Sequence, residues 1–134
     1  MKRYLTHAAD KARAKLKERL EANDSKLSLT LDLWTSSNRL NFMGISLISS
    51  ISLIFLAITA HYIDESCILH EDLLDFTEIT GRHKGKHLAK HDYNVLRQFN
   101  IHTKLMCIIT DNASNNGKMC IELTKQLLEN AFVR

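Results

Sequence analysis

Proline is absent from this chain of 134 residues, so no segment reads as a proline-rich linker. Cysteine is scarce as well. Cys67, Cys107 and Cys120 are odd in number, none forms a CxxC pair and their neighbours are apolar. That pattern argues against a disulfide framework or a zinc site and for a reducing, intracellular compartment. The N-terminus is charged and helical in pattern from the start, without the basic, apolar and small-residue zones of a signal peptide. Charge is missing altogether between Leu40 and Ala60, a run long enough to cross a bilayer as a helix. Asn41, the serines Ser46, Ser49, Ser50 and Ser52, and the many isoleucines favour strands instead. No membrane is therefore expected as a partner. The partial alternation of Ile45 and Leu47, then Ile51, Leu53 and Phe55, suits one long strand or a hairpin buried on at least one face.

What is present amounts to one domain. The length serves a single core but not a catalytic domain plus a separate DNA-binding domain. Lys and Arg number 18 against 15 Asp and Glu, a net charge of +3, which is compatible with nucleic acid without requiring it. Leu5, Ala9, Ala12, Leu16 and Leu20 recur at steps of three or four among lysines and arginines, giving a basic amphipathic helix from about Arg3 to Ala22. Asn23, Asp24 and Ser25 stop it. Leu27, Leu29, Leu31 and Leu33 then alternate with Ser28, Thr30 and Asp32, so Asp32 belongs to the face opposite the leucines. A second strand is expected to end near Ile63, with a turn at Asp64 to Ser66 and a third strand from about Cys67 to Phe76. These three read as antiparallel. A helix follows from about Lys86 to Phe99, with Leu88, Leu96 and Phe99 inward beside Tyr93 or Val95. The nearly all-apolar Lys104 to Thr110 reads as a strand buried on both faces after a crossover. It ends at Asp111. Ser114 or Asn112 can cap a last helix that turns Met119, Leu123, Leu127 and Leu128 to the core.

Two motifs carry chemistry. LTLDLWTSSN places Asp32 in one apolar strand and IITDNASNNG places Asp111 at the end of another, the way a fold aims acidic groups at one metal. Singly, Asp32 also reads as a solvent-facing strand carboxylate, and Asp111 as a turn or capping residue. The element order and the segments SLTLDLWTSSN (Ser28 to Asn38), ITAHYID (Ile58 to Asp64), LLDFTEITGRHKGKHLA (Leu73 to Ala89) and ITDNASNN (Ile109 to Asn116) together resemble the RNase H-like catalytic core of hAT-superfamily transposases and of the zinc-finger BED-type proteins derived from them.

The resemblance implies an α/β, RNase H-like fold, incomplete here: helix, three antiparallel strands, helix, strand, helix. It implies that residues 1–26 are an N-terminal basic helix and 27–134 a partial core. Asp32 and Asp111 match the first two carboxylates of the catalytic set, with Mg²⁺ or Mn²⁺ as cofactor, DNA as partner, the nucleus as compartment and a homodimer in full-length relatives. The third member, a glutamate beyond a large helical insertion, has no counterpart before Arg134. About a dozen apolar residues, Ser46 to Ala57, exceed the family pattern and disrupt or lengthen the second strand, as a retained intron or a decaying gene copy would. The expectation is a transposase-derived remnant without catalysis of its own, the alternative being a domesticated nuclear module that binds DNA or protein.

Further residues have two readings. Trp34 shares the face of Asp32 and suits either base stacking or packing beside the strand. His83, Lys84 and Lys86 suit a face inherited from a DNA-contacting surface, or simply a solvated basic loop. His83, His87 and His91 are spaced by four, but the interleaved Lys84, Lys86 and Lys90 oppose a cation. Glu71, Asp72 and Asp75 read as surface carboxylates, and Asn112, Asn115 and Asn116 as shaping the turn after Asp111.

Overall fold

A computed structural model describes residues 2–37, 52–79, 85–111 and 114–131. In chain order the elements are α1 (Lys2–Ala22), β1 (Leu27–Ser37), β2 (Ser52–Ile63), β3 (Leu69–Ile79), α2 (Gly85–Gln98), β4 (Leu105–Thr110) and α3 (Ser114–Ala131). The strands form one sheet in the order β3-β2-β1-β4. β1 pairs antiparallel with β2 from Leu27↔Tyr62 to Ser37↔Ser52, and β2 pairs antiparallel with β3. β4 joins β1 in parallel, which requires the crossover that α2 supplies.

Strand alternation sorts the side chains onto two faces. Leu27, Leu29 and Leu31 of β1 and Leu56, Ile58 and Ala60 of β2 face one side, where Leu20 of α1, Leu88 and Leu96 of α2 and Met119 and Leu123 of α3 join them in one core. All three helices therefore cover the same face. Gly85 sits where α2 meets α3: a Cβ there would lie 2.9 Å from the backbone N of Met119, so only glycine permits this approach. Asn100, with φ 58°, ends α2 in a left-handed cap, with Ile101 N–H donating to Leu96 O and Asn100 N–H to Arg97 O, both at 3.0 Å.

α1 is tied in at both edges of the sheet. Lys104 Nζ donates to the carbonyls of Leu20, Glu21 and Asn23 at 3.0, 2.9 and 2.6 Å, satisfying acceptors that a helix end leaves open. Arg13 pairs with Asp75 at 3.3 Å and Arg19 with Asp72. Asp72 and Asp75 are thus half-buried partners of α1 rather than surface carboxylates. At the β2–β3 turn, Asp64 Oδ1 accepts from the N–H groups of Ser66 and Ile68, and its Oδ2 meets His70 Nε2 at 2.7 Å. The His70 contact is the main cause that holds the Asp64 carboxyl below its ordinary range.

Several expectations need correction. β4 is not buried on both faces: it is an edge strand, with Met106 68% and Ile109 55% exposed, because no fifth strand among the described residues pairs with it and no helix covers its far side. β3 begins two residues later than Cys67 and continues to Ile79, since Cys67 lies in the turn with φ 60°. The α2 stripe runs through buried Val95, with Tyr93 only half-buried, and Leu128 is exposed at the outer side of α3. Of the uncharged run, residues 52–60 lie in β2; Ile45, Leu47 and Ile51, and residues 46–51 of the apparent insertion, lie outside the described residues. Among the described residues no helix is long and apolar enough to cross a membrane.

Candidate metal centre

The parallel ladder between β1 and β4 ends at Leu31↔Thr110. One residue further along each strand stand Asp32 and Asp111. Their backbones are therefore side by side, Asp32 in the middle of β1 and Asp111 just past the C-terminal end of β4, on neighbouring parallel strands about 4.8 Å apart. Leu31 faces the core, so Asp32 faces the open side, and both aspartates are exposed. The polypeptide between them is spent on β2, β3 and the α2 crossover, whose return strand delivers Asp111 to its neighbour.

Asn116, in the first turn of α3, is 1% exposed. Its Nδ2 donates to Asp111 Oδ1 and, at 3.4 Å, to Asp111 O, so α3 orients the second carboxylate. Its Oδ1 is buried with no partner among the described residues. The expectation that Asn116 shapes the turn thus meets a contact to the carboxylate itself, while Asn112 and the side chain of Asn115 lie outside the described residues. Two carboxylates offer hard oxygen donors, and Mg²⁺ is commonly held by one or two carboxylates with waters and substrate phosphate completing its shell. The donor set fits such an ion. Among the described residues no cluster of three or more His, Cys, Asp or Glu is placed to hold a metal.

The other expected site residues are distributed unevenly. Trp34 does share the open face with Asp32, and its ring lies 5.5 Å from that of Phe76 and 6.1 Å from that of Phe55, centroid to centroid. Lys86 is exposed on α2, across the sheet from Asp32 and Trp34, so the fold does not bring it to the carboxylates. His83 and Lys84 lie outside the described residues. His91 is engaged by Asp75, Nε2 to Oδ2 at 2.8 Å.

Polar features beyond the sequence reading also appear. On the open face Thr30 Oγ1 and His61 Nε2 are 2.9 Å apart, and Cys107 Sγ donates to Ser28 Oγ at 3.1 Å. On the covered face Asp92 of α2 is completely buried, and neither carboxyl oxygen has a hydrogen-bond partner among the described residues. Burial, with the nearby Asp75 charge adding to it, pushes its carboxyl up to about 7.

The family model of the ZBED1 RNase-like domain matches residues 30–134. The chain is 32% identical over 103 residues to "Putative transcriptional regulator tpeD" of Talaromyces stipitatus, a stretch covering 77% of this chain and 11% of that protein. It is 28% identical over 115 residues to "Putative AC transposase" of Zea mays, covering 86% of this chain and 13% of that protein. The chain spans little more than a tenth of the length of these curated relatives.

Proposed function

The chain belongs to the ZBED1 RNase-like domain family and is hAT-type transposase-derived, and from that membership we propose that Asp32 and Asp111 are the inherited carboxylate pair of a Mg²⁺- or Mn²⁺-dependent DNA strand-transfer site. The observation that carries the reading is the ladder ending at Leu31↔Thr110, which leaves the two aspartates adjacent. A bound divalent ion would supply activation of water and stabilisation of the leaving oxygen at a phosphodiester. The protein's part is positional. Asp32 and Asp111 supply carboxylates from adjacent positions on two neighbouring strands, and Asn116 fixes the rotation of Asp111.

On this reading the fold is RNase H-like with two of its three acidic positions present among the described residues, the partner is DNA, the compartment is the nucleus and the full-length protein forms a homodimer. These 134 residues bind the ion without cutting DNA. Mn²⁺ titration followed by electron paramagnetic resonance tests the pair: binding is expected to weaken tenfold or more in Asp32→Asn and in Asp111→Asn. Unchanged binding in both variants would overturn the assignment.

A second reading, a domesticated module that binds DNA or protein without chemistry, is favoured by the relative whose name describes a transcriptional regulator. It predicts DNA affinity that survives both substitutions in the absence of divalent ions and falls as salt rises.

A further inference from the structure

The charges of this molecule are sorted by layer. The four strands contain Asp32, Glu71, Asp72, Asp75 and Glu78 and not one lysine or arginine. By contrast, α1 alone carries seven lysines and arginines against three carboxylates, and the only acid of α2, Asp92, is buried. Asp72 and Asp75 turn to the helices and are taken up by Arg19 and Arg13. The open face is left with Asp32, Glu71 and Glu78, all exposed.

On the helix side, Lys11 and Lys15 of α1 stand one turn apart, and Lys86, Lys90 and Arg97 of α2 recur at four and seven residues, so each set forms a stripe along its helix. All five are exposed, and none has a carboxylate within ion-pair distance among the described residues. The two helices are neighbours on the same side of the sheet: Arg13 Nη1 donates to Gln98 Oε1 at 3.5 Å, and both Arg13 and His91 reach Asp75.

We infer that the α1–α2 face is a nucleic-acid backbone-binding surface, separate from the carboxylate pair and on the opposite side of the sheet. It deepens the DNA reading above and rests on it. Phosphates are attracted to unpaired cations and repelled by the open face, which carries Asp32, Glu71 and Glu78 and no lysine or arginine on its strands. α1 also precedes the matched family region, so this surface is built partly by residues outside it.

Fluorescence anisotropy of a labelled random-sequence duplex with the full chain tests the assignment in metal-free buffer. With five phosphates contacted, affinity should fall several hundred-fold between 50 and 200 mM salt, because the logarithmic slope is about 0.9 per phosphate. Replacing Lys11, Lys15, Lys86, Lys90 and Arg97 together by glutamine should flatten that slope, and each single replacement should reduce it by about one. Trp34→Ala should leave binding unchanged. The proposal falls if the fivefold variant binds like the parent, if Trp34→Ala abolishes binding, if the parent does not bind duplex at all, or if anionic phosphatidylserine vesicles bind more tightly than DNA at equal salt. The Mn²⁺ titration reads Asp32 and Asp111 independently of each of these results.

Discussion

On the covered side of the sheet Leu29, Leu31, Leu56 and Ile58 keep 2% or less of their surface, whereas on the other side Trp34, Phe76 and Ile109 keep 39%, 53% and 55%. The same four strands build both sides, and the alternation that hides one set of residues presents the other. Stability therefore resides on the helix side, and the groups available for chemistry reside on the bare side. Asp32 can be changed without opening the core because Leu31 and Leu33, not Asp32, face the helices.

The sharpest way to break that contrast is to truncate one residue on each side. Leu31→Ala should cost about 2–5 kcal/mol, as buried leucines do, whereas Phe76→Ala should cost roughly 1 kcal/mol, mostly its ring contacts with Phe55 and Trp34. Urea denaturation of both variants measures the difference, and equal losses would show that the open face is not open in solution. The next largest effect comes from the polar fault in the covered side. Because burial raises the Asp92 carboxyl to about 7 in the folded chain, its stabilising protonated form is fully present below the unfolded value near 4, and stability is lost as pH rises through 7. Asp92→Asn should therefore match the parent below about pH 4 and exceed it by a few kcal/mol at pH 8. Thermal melts across that range check it, and a gap independent of pH would refute the titration. Lys104→Met should cost roughly 2 kcal/mol by leaving the carbonyls of Leu20, Glu21 and Asn23 without their shared cation. Hydrogen exchange should then rise first at the end of α1. The smallest change is expected for Glu78→Gln on the bare rim, within about 0.5 kcal/mol, and a larger loss would mean that an unrecognised partner holds it.

Much of the covered face was legible from spacing alone. The leucine alternation of β1 assigned Asp32 to the side it occupies, and the three-and-four stripes of α1 and α2 named Leu16, Leu20, Leu88 and Leu96. β4 misled because an all-apolar run signals burial on two sides, while edge position depends on which strands exist to pair with it, and that is not a local property. Asp92 did leave a signal that went unused: position 92 lies four after Leu88 and three before Val95, inside the buried stripe, so a carboxylate there had to be buried. The ion pairs of Arg13 and Arg19 left none, since their partners are more than fifty residues away. For Asp32 and Asp111, the motifs singled out two residues about eighty positions apart, and only the parallel register of β1 and β4 makes their backbones neighbours.

The three-carbonyl clasp of Lys104 has a consequence for where this unit can be excised. The stretch matched by the family model starts at residue 30, in the middle of β1, whereas Leu20, Leu27 and Leu29 lie before it and are among the most shielded side chains of the molecule. A piece trimmed to 30–134 would begin with half a strand, an uncapped gap above Phe99 and a lysine holding nothing. The stretch matched by the family model and the unit that packs as one core do not coincide: the helix that precedes the matched stretch is a structural member of the domain.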